Sequence, residues 1–329
     1  MTMEKSKEKV NLNQKIVKEI IPKLDGKANL VDYLMNLLSM KKESCYRRIR
    51  NNIPFSFEEI AIIARGLDIS IDQLIEQNVS CFSLNTDFDI NQEPEDTFSS
   101  LLNNDIKIIR KMLTEKDVKI TVSMNRIPFY LLPFVELFKF EYFHYMYSSG
   151  KISIMTRFSD IVIPNHIIDL HQMSYLLFNK LNNVTCIINS MVYTEFIKRI
   201  KFYYRSKFIS DDDLQVLQAE LFELLKKYES LLRNGKNTSG SEYLFYYSFF
   251  ALENSFTFFE SSENTLLQYW VYPESPIIIK NNKTINDIQK RWIDSKIRNS
   301  MLITKTNDAQ QIEILRNIYK EISELTSCH

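Results

Sequence analysis

The chain has 329 residues, 45% hydrophobic and 25% charged, with 41 basic side chains balanced by 41 acidic ones. These proportions are those of globular domains and exclude disordered and collagen-like readings, while the length points to two units of roughly 100–200 residues each. Glycine is scarce, at 5 residues, and neither a GxGxxG nor a GxxxxGK(S/T) pattern occurs, so nucleotide chemistry has no support and no cofactor is expected.

Met1 to Lys9 is polar and charged and leads into no apolar run, so no signal peptide is expected. No segment reaches roughly eighteen apolar residues either. A soluble, cytoplasmic protein without a membrane partner is the expectation. Cys45, Cys81, Cys186 and Cys328 lie far apart and form no CxxC pair, which favours reduced thiols over zinc or a disulfide framework.

Charge is unevenly distributed. Lys41, Lys42, Arg47, Arg48 and Arg50 stand within ten residues of one another against the single acid Glu43, whereas residues 66–106 contain no lysine or arginine. The first apolar set, Ile16, Val17, Ile20, Ile21 and Leu24, repeats with helical spacing after Asn13, which reads as its N-cap. A second helix is expected from Asn29, with Leu30, Val31, Leu34, Leu37 and Leu38 on one face. Lys41 to Asn51 follows as a third, its inward pair being Cys45 and Ile49. Ser56 with Glu59 forms a capping box flanked by a Phe55/Ile60 hydrophobic staple, and the pattern recurs at Ser70 and Gln73 with Ile69 and Leu74. Five short helices are thus expected within residues 1–78.

The stretch Leu38 to Ile75, LSMKKESCYRRIRNNIPFSFEEIAIIARGLDISIDQLI, resembles the Cro/repressor-type (XRE-like) helix-turn-helix family, in particular its Bacteroidetes-type branch. It covers about a quarter of the chain. The resemblance implies a DNA-binding domain and a role in transcription regulation. The sequence departs from the family pattern at Met35, where a small residue is preferred, and Tyr46-Arg47-Arg48-Ile49 is shifted by one residue, so base contacts are better taken from helical geometry. With Cys45 and Ile49 inward, a step of 100° per residue turns Glu43, Arg47 and Arg50 outward, with Ser44 at their edge and Lys42 and Tyr46 flanking. Arg47 suits a bidentate contact to guanine, Glu43 can accept from cytosine, and Lys41, Lys42 and Arg50 suit phosphates. Arg48 leans coreward and covers apolar surface with its stem. A solvated basic helix on a bundle is the bland alternative.

Residues 79–96, acidic and containing Pro94, read as a linker, and 97–329 as an α/β (α+β) domain with a partly antiparallel, aromatic-rich sheet. Helices are expected from Phe98 to Leu113, Phe134 to Tyr147, and near 165–182, 191–206, 211–233, 285–298 and 308–325, with strands at 118–124 and 184–188. YLFYYSFF, SFTFFES and LLQYWVY, between Glu242 and Tyr272, read as a three-stranded antiparallel meander covered by the last two helices. No catalytic set emerges: His166 and His171 are five apart, not the four that aligns two imidazoles, and Asp211-Asp212-Asp213 reads as a helix start. His144 reads as a core histidine. The aromatic wealth of 129–147 and 243–272 is first core packing, with a small apolar ligand as the second reading.

The expected function is a sequence-specific DNA-binding regulator, not an enzyme, that contacts double-stranded DNA as a homodimer through Lys41, Lys42, Glu43, Ser44, Tyr46, Arg47 and Arg50, with the larger domain sensing or dimerising. The alternatives are a helical module that docks a protein partner, and an enzyme with a fused targeting domain.

Overall fold

The structure is a computed structural model that describes residues 12–21, 27–67, 93–153, 155–272 and 275–326. The chain divides into two compact units, residues 1–84 and 85–329. The first contains α1 (Leu12–Ile20), α2 (Lys27–Leu38), α3 (Lys42–Ile49) and α4 (Phe57–Leu67). Ile16, Ile20, Leu30, Val31, Leu34, Cys45, Phe55, Ile60 and Ile63 make its core, each aliphatic side chain contributing about 1.5–3 kcal/mol on burial. The Phe55/Ile60 staple is inside this core. α2 starts two residues before Asn29. The fifth helix expected at Ser70–Gln73 lies outside the described residues, as do residues 79–92, Cys81 and Cys328.

The second unit is a mixed α/β assembly. Its helices are α5 (Pro94–Thr114), α6 (Val135–Ser148), α7 (Asn165–Phe178), α8 (Met191–Arg205), α9 (Asp211–Asn234), α10 (Lys283–Arg298) and α11 (Asp308–Ser323). Its strands are β1 (Lys119–Met124), β2 (Val184–Ile188), β3 (Tyr243–Ser248), β4 (Ser255–Glu260), β5 (Thr265–Tyr272), β6 (Ser275–Lys280) and β7 (Ser300–Leu302). They form one seven-stranded sheet in the order β6-β5-β4-β1-β2-β3-β7. β1, β2 and β3 are parallel, and every other pairing is antiparallel. Among the described residues no helix is long and apolar enough to cross a membrane.

Three expectations need correction. α5 begins at Pro94, inside the stretch read as a linker. Proline at the first helical position forfeits no hydrogen bond, and Glu95 and Asp96 fall in the first turn, where the helix dipole favours carboxylates; what read as linker composition is helix-start composition. The meander is also different: β3 leaves the antiparallel set to pair in parallel with β2, and β6 takes its place beside β5. The long α8–α9 crossover supplies the chain length that a parallel return requires. Finally, α10 covers the meander, its Ile285 and Ile293 packing with Phe256, Phe258 and Leu267, but α11 packs against α8 and α9 instead.

The sheet is therefore buried on both faces around β4 and β5. Phe259 and Leu266 turn toward the main core, and Phe256, Phe258 and Leu267 toward α10. α6 sits deep: Leu137, Phe138, Phe140, Glu141, Tyr142, Phe143 and Tyr145 are all buried. Its one buried carboxylate, Glu141, would be raised by burial, but Arg199, bonded through both guanidinium ends at 2.6 and 3.0 Å, and Arg126 at 3.6 Å hold it below its usual value.

On the sheet's main face the paired residues Thr257 and Gln268 are polar. Thr257 shares a hydroxyl hydrogen bond with Tyr130, and the Gln268 amide donates to Asp105 Oδ1 at 2.6 Å. The other Asp105 oxygen has no partner among the described residues. Burial raises Asp105 to about 7, the Gln268 bond offsetting part of the effect. Since the folded state then holds a proton that the unfolded chain releases near 3.8, Asp105 withdraws stability as pH rises from 4 through 7, up to about 4 kcal/mol. His144 and His171, both held down to about 4 by burial, act in the opposite sense, so the informative quantity is a difference. Chemical denaturation from pH 4 to 8 should show Asp105→Asn gaining on the wild type steadily up to pH 7 and staying level above it.

Candidate nucleic-acid interface

α3 is a short helix, about 12 Å long at 1.5 Å per residue, and its position is set by contacts on its inner side. Cys45 is fully buried and Ile49 half-buried; burial raises the Cys45 thiol. Ser39, with φ 50°, turns the chain sharply between α2 and α3. Gly66 of α4 lies where a Cβ would stand 3.0 Å from the Tyr33 hydroxyl and 3.2 Å from Leu37, so the missing side chain lets α4 approach α2.

Two polar devices complete the seat. The first centres on Glu59, whose carboxylate accepts the Ser56 amide at 2.9 Å while the Ser56 hydroxyl accepts the Glu59 amide at 3.2 Å, the expected capping box. The same carboxylate takes Arg48 in a two-pronged bond, Nε and Nη2 each at 2.7 Å. The second device is Asn13. It is not the cap of α1 but its second residue, and its buried amide donates to the Arg48 carbonyl at 2.7 Å while accepting the Phe55 amide at 2.8 Å. One side chain thus ties the end of α3 to the start of the α4 segment.

The outer side carries the residues read from the sequence as DNA contacts. Lys41, Lys42, Glu43, Tyr46, Arg47 and Arg50 are exposed, and Ser44 is half-buried at their edge. The Arg50 guanidinium lies 5.5 Å from the Tyr46 ring centre. Lys41, Lys42 and Arg47 make no ion pair or side-chain hydrogen bond among the described residues. Arg48, by contrast, is fixed inward as an ion-pair partner rather than spread over apolar surface. The solvent-facing set therefore combines four cations, one carboxylate and one aromatic ring.

Sequence reasoning took Asn13 for a helix cap and missed its contacts to Arg48 and Phe55, and it missed the Arg48–Glu59 pair. The Glu59 capping box held the clue to the pair, because a carboxylate with one oxygen engaged still has lone pairs for an arginine. Asn13 gave no such signal.

Among the described residues the histidines and the Asp211–Asp213 run of the larger unit form no shared cluster. His166 faces Glu95 at 3.3 Å, and His171 is buried, its ring stacked 3.9 Å from that of Phe138. His144 meets the Tyr203 hydroxyl at 2.8 Å. Asp213 closes a capping box with Ser210 at the start of α9, and Asp211 accepts from Tyr204 at 2.7 Å. Among the described residues no cluster of three His, Cys, Asp or Glu could hold a metal.

No family model, no curated protein and no solved structure matches the chain.

Asn13→Ala leaves the buried Phe55 amide without an acceptor, and Glu59→Ala strands Arg48; each should cost about 1–3 kcal/mol. Hydrogen exchange at α3 and α4 amides should accelerate accordingly in both variants, whereas Arg47→Ala should leave the exchange pattern unchanged.

Proposed function

We propose that this protein is a sequence-specific DNA-binding transcriptional regulator. In this reading residues 1–78 form a five-helix helix-turn-helix domain that lays α3 in the major groove, and residues 97–329 form the domain through which two copies associate and respond to a signal. What supports it is the division of labour among the arginines and lysines around α3. Arg48 is consumed by Glu59, while Lys41, Lys42, Arg47 and Arg50 stand on the outer side with only Glu43 opposing them. A groove about 12 Å wide admits such a helix. Arg47 at its centre is suited to the O6 and N7 acceptors of guanine, Glu43 to the amino group of cytosine, and Lys41, Lys42 and Arg50 to flanking phosphates. The small number of cations favours two copies on a site with two-fold symmetry.

A protein-docking role for the helical unit has one observation in its favour. Phe57, 71% exposed, and Ile62, 45% exposed, are apolar side chains left open on α4. They lie off the charged side of α3, so the two readings call on different residues.

Selection from a random DNA pool with the purified chain should return a common sequence with repeated half-sites. On that sequence Arg47→Ala should weaken the footprint, with an expected loss of about 1–3 kcal/mol and relaxed preference at one base pair. Lys42→Ala should weaken binding evenly and make the dependence of log K on log salt shallower by about one. Recovery of no preferred sequence, or a footprint indifferent to Arg47→Ala, would overturn the proposal.

A further inference from the structure

Protein cores are close-packed and voids larger than a water are few, yet a pocket of about 90 Å³, partly open to solvent, reaches into the main core of the larger unit. Its floor is the parallel part of the sheet, where Cys186 of β2 and Phe245 of β3 face upward. Its walls are Val192 of α8 and Leu224, Lys227 and Tyr228 of α9. At about 10–15 Å³ for each water-sized body, the space takes roughly six to nine of them, which is the size of a molecule of about ten non-hydrogen atoms.

The chemistry of the lining is one-sided. It is almost entirely apolar and aromatic, and among the described residues no acidic side chain borders it. Among the described residues Lys227 is the one cationic side chain on the border and makes no ion pair; it is exposed to solvent, its ammonium resting 5.9 Å from the Phe134 ring centre. Tyr228, next in sequence and buried, has a hydroxyl with no hydrogen-bond partner among the described residues. A ligand that covers this apolar lining gains about 25 cal/mol for each Å² taken from water, and the Lys227 ammonium faces no protein carboxylate among the described residues.

We infer that this cavity is a binding site for a small apolar monocarboxylate, its hydrocarbon part lying between Phe245, Val192 and Leu224 and its carboxylate at the mouth beside Lys227. Binding covers the apolar lining and pairs the ammonium. The site belongs wholly to the larger unit and stands whether or not the helical unit binds DNA. If both hold, the carboxylate is the class of signal to which the regulator responds, which requires that it bind one arrangement of the protein better than another.

The test uses calorimetric titration of the full chain, without DNA, with octanoate as the probe and octan-1-ol as its uncharged counterpart. Octanoate should bind one to one and saturably with a negative heat-capacity change, and octan-1-ol about tenfold or more weakly, the loss expected of one charge-assisted contact. Lys227→Met, on an exposed helix position, should weaken octanoate by a similar factor while leaving octan-1-ol unchanged. Leu224→Trp should abolish both by filling the space; circular dichroism verifies its fold, and if it does not fold the Lys227→Met comparison decides. No saturable octanoate binding, equal affinity for the alcohol, or indifference of octanoate to Lys227→Met would each overturn the assignment.

Discussion

One carboxylate governs which side of α3 faces outward. Glu59 caps α4 through the Ser56 amide and holds Arg48 through both ends of its guanidinium. An isolated ion pair of this kind contributes little net stability once desolvation is counted. Its larger effect is orientation, because the fork geometry of arginine accepts few angles and a helix of two turns has no length over which to average them. With Asn13 fastening the Arg48 carbonyl to the Phe55 amide, the rotation of α3 about its axis is set from both its side-chain and its backbone side. Arg47, one step of 100° away from Arg48, is outward as a consequence.

Much of this was legible in the sequence. The spacing of Cys45 and Ile49 was enough to turn Arg47, Arg50 and Glu43 away from the core, because a helix has one period and a small bundle one interior. Capping signals placed the start of α4 for a similar reason: Ser56 and Glu59 satisfy amides that nothing else nearby can reach. The inner polar contacts were not legible. Asn13 meets Arg48 35 residues away and Phe55 42 away, and no local pattern encodes which distant backbone groups a buried amide will find.

The larger unit shows the same division. Helices such as α9 announce themselves, with Ser210 and Asp213 at the front and Gly235 at φ 63° behind. Five of the seven strands were legible, but β6 and β7 were not, and neither were the strand partners. YLFYYS and SFTFFE look alike in composition, and only the chain excursion through α8 and α9 decides that the first of them pairs in parallel with β2. Burial on two faces also erases the alternation from which a sheet's orientation is read, and a similar loss of pattern marks α6, most of whose aromatic side chains are buried.

The order of strands leaves two rims, β6 and β7. β7 is only 3 residues long, and β6 carries Pro276, which has no amide to offer, and ends in Lys280. Short, proline-bearing and charged rims are poor templates for a further strand. Self-association of this unit by continuing its sheet from one molecule into the next is thereby discouraged, and copies that meet are steered to do so through helices and loops, where contact can be closed and finite rather than open-ended.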